Sequence, residues 1–150
     1  MPLRRSQRLW ADQLAPRCVA TLTGEEQGAF SAMVAFVDRR RVIVYNDAHA
    51  LTRQRADICH EISHVLLLHE PHPASPGEAP DYDKAQEEEA SWLGGVILVP
   101  DAACLDVCRN GHSVEAAAKR MGVSVPLMRW RINKSGARTR VARSRRASRR

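Results

Sequence analysis

The sequence predicts an α+β domain, with a small sheet first and a run of helices after it. Residues 30–45 read as two strands, an alternating apolar run followed by a β-branched one. From Thr52 onward the apolar residues recur at three- and four-residue spacing instead. Prolines and glycines then cut the helical part into separate pieces.

At the N-terminal end, residues 8–14 suit a short helix that Pro16 prevents from continuing. Phe30, Ala32, Val34 and Phe36 alternate with Ser31, Met33 and Ala35, and Val42-Ile43-Val44-Tyr45 is a β-branched run, so two strands are expected. Asp38-Arg39-Arg40-Arg41 between them reads as a hairpin loop with solvated arginines. Thr52 is the expected cap of a helix reaching about His69, with Ile58, Cys59, Ile62, Val65 and Leu66 on its apolar face. Pro71 and Pro73 stop it, and the segment from Pro71 to Asp81, with four prolines and a glycine, must be a loop. A second helix should start near Asp83 and run toward Leu98. The acids Asp81, Asp83, Glu87, Glu88 and Glu89 crowd its start, where the helix dipole favours them, and Pro100 ends it. Two shorter helices, 114–121 and 125–134, flank Gly122-Val123-Ser124 in a spacing that resembles a helix-turn-helix. Ser135 to Arg150 lacks apolar periodicity and is expected to be disordered.

Composition narrows the function classes. A chain of 150 residues has room for one real core. Only 5% is aromatic, so that core must be mostly aliphatic. No apolar run approaches the length that spans a bilayer, and polar residues follow Arg4, Arg5 and Arg8 where a signal peptide needs an apolar stretch. No membrane contact and a cytoplasmic location are expected. Four cysteines are too few for a disulfide scaffold. Cys104, Cys108 and His112 share a face if their segment is helical, but packing explains buried cysteines better than a second metal site does. The net charge of +6 is uneven: residues 129–150 hold ten Lys and Arg and no acid, while residues 1–128 are mildly acidic. The end of the chain therefore has an electrostatic affinity for nucleic acid that carries no sequence reading.

His60-Glu61-Ile62-Ser63-His64 is an H-E-x-x-H string inside the first long helical pattern. Residues four apart on a helix return to within about 40° of each other, so both imidazoles project from one face and can bind one zinc ion. Glu61 sits beside them and can take a proton from the water that attacks a carbonyl carbon, then pass it to the leaving amine. Catalytic zinc takes a third protein ligand. Local candidates are weak: Leu67 stands where a glycine turn would be needed to swing Glu70 back, and His69 and His72 lie past the expected helix end. Glu87 is the stronger candidate. It shares a stripe with Ala90, Ser91 and Gly94, small residues that let two helix backbones approach, whereas Glu88 and Glu89 point elsewhere and read as solvated acids.

The stretch Tyr45-Asn46, then Arg53-Gln54-Arg55-Ala56-Asp57-Ile58-Cys59-His60-Glu61-Ile62-Ser63-His64, then Glu87-Glu88-Glu89-Ala90-Ser91-Trp92-Leu93-Gly94-Gly95-Val96-Ile97-Leu98-Val99-Pro100, resembles the ImmA/IrrE family of metallo-endopeptidases over roughly residues 42–135. The resemblance implies zinc ligands at His60, His64 and Glu87, a catalytic Glu61, and a protein substrate, typically a transcriptional repressor or similar regulator. Cys59 and Ser63 stand where the family usually has Ala and Gly, and Gly94-Gly95 where it has Ala-Ala. These exchanges bear on the shape of the substrate pocket rather than on the metal site.

The expectation is thus a small α+β, zincin-like metallopeptidase domain with a short sheet, an H-E-x-x-H helix, a second ligand helix and a helix-turn-helix-like C-terminal segment. Its parts are an N-terminal segment (1–20), the core (21–112), the helical segment (113–135) and a basic tail (136–150). The rival expectation is a non-catalytic nucleic-acid-binding regulator with structural zinc, resting on the helix-turn-helix-like segment and the tail.

Overall fold

The computed structural model describes residues 31–37, 39–69 and 83–148. The expectations for residues 1–20, for Phe30, for the proline-rich loop and for Glu70 and His72 lie outside the described residues. Strand β1 (Ala32–Val37) pairs antiparallel with β2 (Arg40–Tyr45), with Val34 opposite Ile43. Val37 stands opposite Arg40, so the hairpin is tighter than the loop expected over Asp38–Arg41. Arg40 and Arg41 join the strand because a strand needs only backbone pairing, and their side chains remain exposed.

Six helices follow among the described residues: α1 (Leu51–Leu66), α2 (Lys84–Leu98), α3 (Asp101–Asn110), α4 (Val114–Met121), α5 (Val125–Lys134) and α6 (Ala137–Ala147). The molecule is the expected α+β arrangement, with the sheet on α1 and the later helices gathered into one cluster. Helix α1 starts after Ala50 without a side-chain cap, so Thr52 lies inside its first turn rather than before it. The loop before α1 is held instead by Gln54, whose Nε2 donates to the carbonyls of Asp47 at 3.1 Å and His49 at 2.7 Å. Three later helices are capped as their sequences require: Asp83 accepts from Ala85 N–H, Ser113 from Ala116 N–H and Ser124 from Leu127 N–H.

The main core lies among α3, α4, α5 and the end of α2, where Val99, Cys104, Met128 and Ala137 are fully buried and Ala117, Ala118 and Ile132 nearly so. The cysteine of that set is packing, as expected for Cys104. Arg131 is buried as well. Its Nε donates to the Val99 carbonyl at 3.0 Å and its guanidinium reaches Asp101 at 2.7 Å, tying α5 to the junction of α2 and α3.

The expectation of disorder from Ser135 to Arg150 is corrected. Residues 137–147 form α6, which begins after Gly136 in the left-handed conformation and buries Ala137 and Val141. Two small apolar residues one turn apart are too weak a period to read from sequence. They suffice here because α3 and α5 supply the opposing surface. Basic residues of α5 and α6 are tied to the body: Arg131 is in the core, Arg140 pairs with Asp101 at 3.2 Å and Arg129 with Glu115 at 3.7 Å. Among the described residues no single helix is long and apolar enough to cross a membrane.

Candidate metal centre

The site is made where α2 lies along α1. Gly94 allows that contact: a Cβ there would stand 3.2 Å from the Cys59 carbonyl carbon and from the His60 nitrogen, so backbone meets backbone. Ala90, one turn earlier, is fully buried, and Ser91 carries its hydroxyl to 3.4 Å from His60 Nδ1. Gly94, Ala90 and Ser91 thus form the small-residue stripe along which α2 approaches α1, and Glu87 sits on the same stripe.

Glu87 then faces both histidines. Its Oε2 is 3.1 Å from His60 Nε2 and its Oε1 is 3.4 Å from His64 Nε2, while the two Nε2 atoms are 2.9 Å apart. Ligand atoms of these three residues all lie within 4.8 Å of one another, a set suited to holding a metal ion. The chemistry of the set fits zinc. Two imidazole nitrogens and a carboxylate crowd into one small volume, where their lone pairs can converge on a shared proton or on a bound cation. With zinc–ligand distances of about 2.0–2.1 Å, ligands at the corners of a tetrahedron stand roughly 3.3 Å apart, close to the spacings found here.

The family model for the IrrE N-terminal-like domain, a peptidase family, matches residues 23–133. The chain belongs to this family. No curated protein and no solved structure matches it. The metallopeptidase class suggested by the sequence is that of the family, and the IrrE-like domain takes in both strands, the three clustered residues and the helices through α5.

Glu61, next to His60, stays outside the metal-ligand set. Burial pushes its carboxyl above the usual carboxylate range, and Glu87 and Asp57 push the same way. His60 and a hydrogen bond from the Val34 backbone pull it down, by less. The sheet therefore positions Glu61: β1 pairs with β2 along one edge and brings its Val34 backbone to the carboxylate. A carboxylate raised in this way is a better proton acceptor than an exposed one.

Three residues around the ligands take places that the sequence does not assign to them. Ser91 faces Nδ1 of His60. His69, a possible ligand by its position in the chain, turns its Nδ1 to Nδ1 of His64 at 3.0 Å and is not one of the three clustered residues. Glu89, expected to be simply solvated, places Oε2 3.2 Å from His69 Nε2. Glu88 is the solvated acid of the group, exposed and 3.8 Å from Lys84. The signal available for His69 was its place just past the helix end, where a reversing turn can return a side chain to the last helical turn. Cys104, Cys108 and His112 form no metal-ligand set among the described residues.

Proposed function

We propose that the chain is a zinc-dependent metallo-endopeptidase that hydrolyses a peptide bond in a regulatory protein such as a transcriptional repressor. The observation that supports this most directly is the division of labour among four residues. His60, His64 and Glu87 converge as a ligand set, while the raised carboxyl of Glu61 stands beside them outside it. Zinc held by those three residues would supply Lewis acidity, lowering the pKa of water and polarising the scissile carbonyl. Glu61 then accepts a proton from the attacking water on a carboxylate oxygen and delivers it to the leaving amine nitrogen. Three protein ligands leave a fourth position for the reaction, as a catalytic site requires and a closed structural site does not.

The rival reading, a regulator with structural zinc, is disfavoured by that three-residue set and by the proton acceptor at its side. Nucleic acid remains a proposed partner rather than the main function. It would meet the exposed arginines of α6, including Arg138, Arg143 and Arg146, through phosphate contacts.

Purified protein loaded with zinc and incubated with a repressor encoded beside it should cleave that repressor at one site. Glu61→Gln should keep stoichiometric zinc and lose cleavage, because the glutamate acts on water and not as a ligand. Glu87→Ala should lose zinc, while Glu88→Ala keeps both zinc and activity. Wild-type cleavage rates from Glu61→Gln would sink the mechanism.

A further inference from the structure

Helix α1 does not simply stop after Leu66. Leu68 adopts a left-handed conformation, φ 58°, at a position where glycine is the usual choice. The His69 N–H then reaches back to the His64 carbonyl at 3.0 Å, and the Leu68 N–H to Val65 at 3.3 Å. This reversal strains the backbone of a leucine, whose Cβ crowds the following carbonyl oxygen. Its result is that the His69 ring is folded back against the ring of His64, with centroids 5.0 Å apart and planes at 72°. The His69 side chain is 8% exposed, although it follows the helix and borders the proline-rich segment.

With zinc on His64 Nε2, the hydrogen bonds along this line take one placement of protons. A metal-binding His64 must keep Nε2 bare, so its proton sits on Nδ1 and is donated to His69 Nδ1 at 3.0 Å. His69 therefore carries its own proton on Nε2, and that proton is donated to Glu89 Oε2 at 3.2 Å. Glu89 is anchored two residues after Glu87 on the same helix, and among the described residues it is the carboxylate paired with His69.

We infer that His69 and Glu89 form a positioning relay for the metal centre: Glu89 fixes the tautomer and orientation of His69, and His69 fixes those of His64. The inference rests on the proposed zinc site. It gives the two ligand histidines unequal support. A neighbouring imidazole nitrogen backs His64 at 3.0 Å, whereas His60 has the 3.4 Å approach of Ser91. Outer partners of this kind orient a ligand ring and raise its basicity, and their removal costs about 10–100-fold in metal affinity. The relay also couples α2 to α1 twice, once through Glu87 at the metal and once through Glu89 beyond it.

The test uses the full chain, with zinc affinity measured by competition against a colorimetric chelator and the imidazole tautomers of the metal-free protein read from ¹⁵N shifts. His69→Phe keeps the ring's volume and removes its acceptor. It should weaken zinc binding by about 10–100-fold, and His64 should lose its single Nδ1–H form in the metal-free state. His69→Asn sets an amide oxygen where Nδ1 stood and should recover much of the affinity, which a merely structural role for the ring would not allow. Glu89→Ala should weaken zinc several-fold in the wild-type background and have no further effect beside His69→Phe. If His69→Phe does not fold, His69→Asn combined with Glu89→Ala carries the same comparison, because the asparagine then no longer depends on Glu89. Affinity of His69→Phe within about two-fold of wild type, with the His64 tautomer unchanged, overturns the relay. So does an equal Glu89→Ala effect with and without His69. A wild-type chain that binds no zinc would instead defeat the zinc-site reading itself.

Discussion

Arg131 carries a full charge into the core with 1% of its surface exposed. Its partners explain why this is tolerated: a carbonyl oxygen of Val99 that would otherwise be buried, and the half-exposed carboxylate of Asp101. Arg131→Met retains the apolar stem but leaves the Val99 carbonyl without a donor. The expected loss is about 1–3 kcal/mol, measurable by urea unfolding. The site's metal affinity should change little, since Arg131 touches none of its ligands. A second residue-scale expectation concerns Cys108. Burial pushes its thiol up, which outweighs the opposing pull of Arg138. Only the thiolate is nucleophilic, so at about pH 8 alkylation of Cys108 should be slower than that of a free cysteine. The rate should then climb as pH rises through the elevated pKa. A mass-spectrometric time course at several pH values checks the direction.

Helix pairing is where the site is made or broken. Gly94 sits on the backbone of Cys59 and His60, with no side chain between the two helices that could yield. Gly94→Leu should therefore push α2 off α1, costing about 1–3 kcal/mol or more from overpacking. It should also weaken zinc binding without altering a ligand. A thermal melt with and without added zinc separates the two effects: the variant should lose both baseline stability and most of the stabilisation that zinc gives wild type. Zinc stabilisation equal to wild type would show that Glu87 reaches the histidines without this close approach. At the same scale, the helix ends explain what could be read in advance. Asp83, Ser113 and Ser124 are local signals, each capping a helix a few residues away. The start of α1 carries no such residue, and the reversal at Leu68 uses a side chain that gives no hint of positive φ.

For the whole molecule, the charged C-terminal region is integrated with the body. Helix α6 covers α3 with Ala137 and Val141, and Arg145 donates to the Arg109 carbonyl at 2.8 Å. Truncation after Ser135 should thus lower the melting temperature rather than leave the fold unchanged. It should also make any DNA binding less sensitive to salt, the slope falling by about 0.9 for each phosphate that the removed arginines neutralise. A fully stable truncated chain with undiminished DNA affinity would contradict both parts. The clustering of His60, His64 and Glu87 was legible because H-E-x-x-H and a small-residue stripe are short-range patterns, each confined to one helix. Burial of Arg131 and ordering of α6 were not legible. Both depend on partners some thirty residues away, Val99, Asp101 and the exposed face of α3, and no local period encodes such a meeting.

Trp130 gives this architecture an optical consequence. A Cβ on Gly95 would overlap the Trp130 ring, so the six-membered ring of the indole lies directly against α2, about 12 Å along the helix from Glu87. Trp92, on the same helix, is half-exposed and emits from a wetter setting. Seating or unseating of α2 changes what surrounds Trp130 while Trp92 keeps its solvent contact. With Trp10 and Trp92 replaced by phenylalanine, the emission of Trp130 is thereby a built-in gauge of helix docking, and a zinc titration can be followed by its wavelength without any attached label.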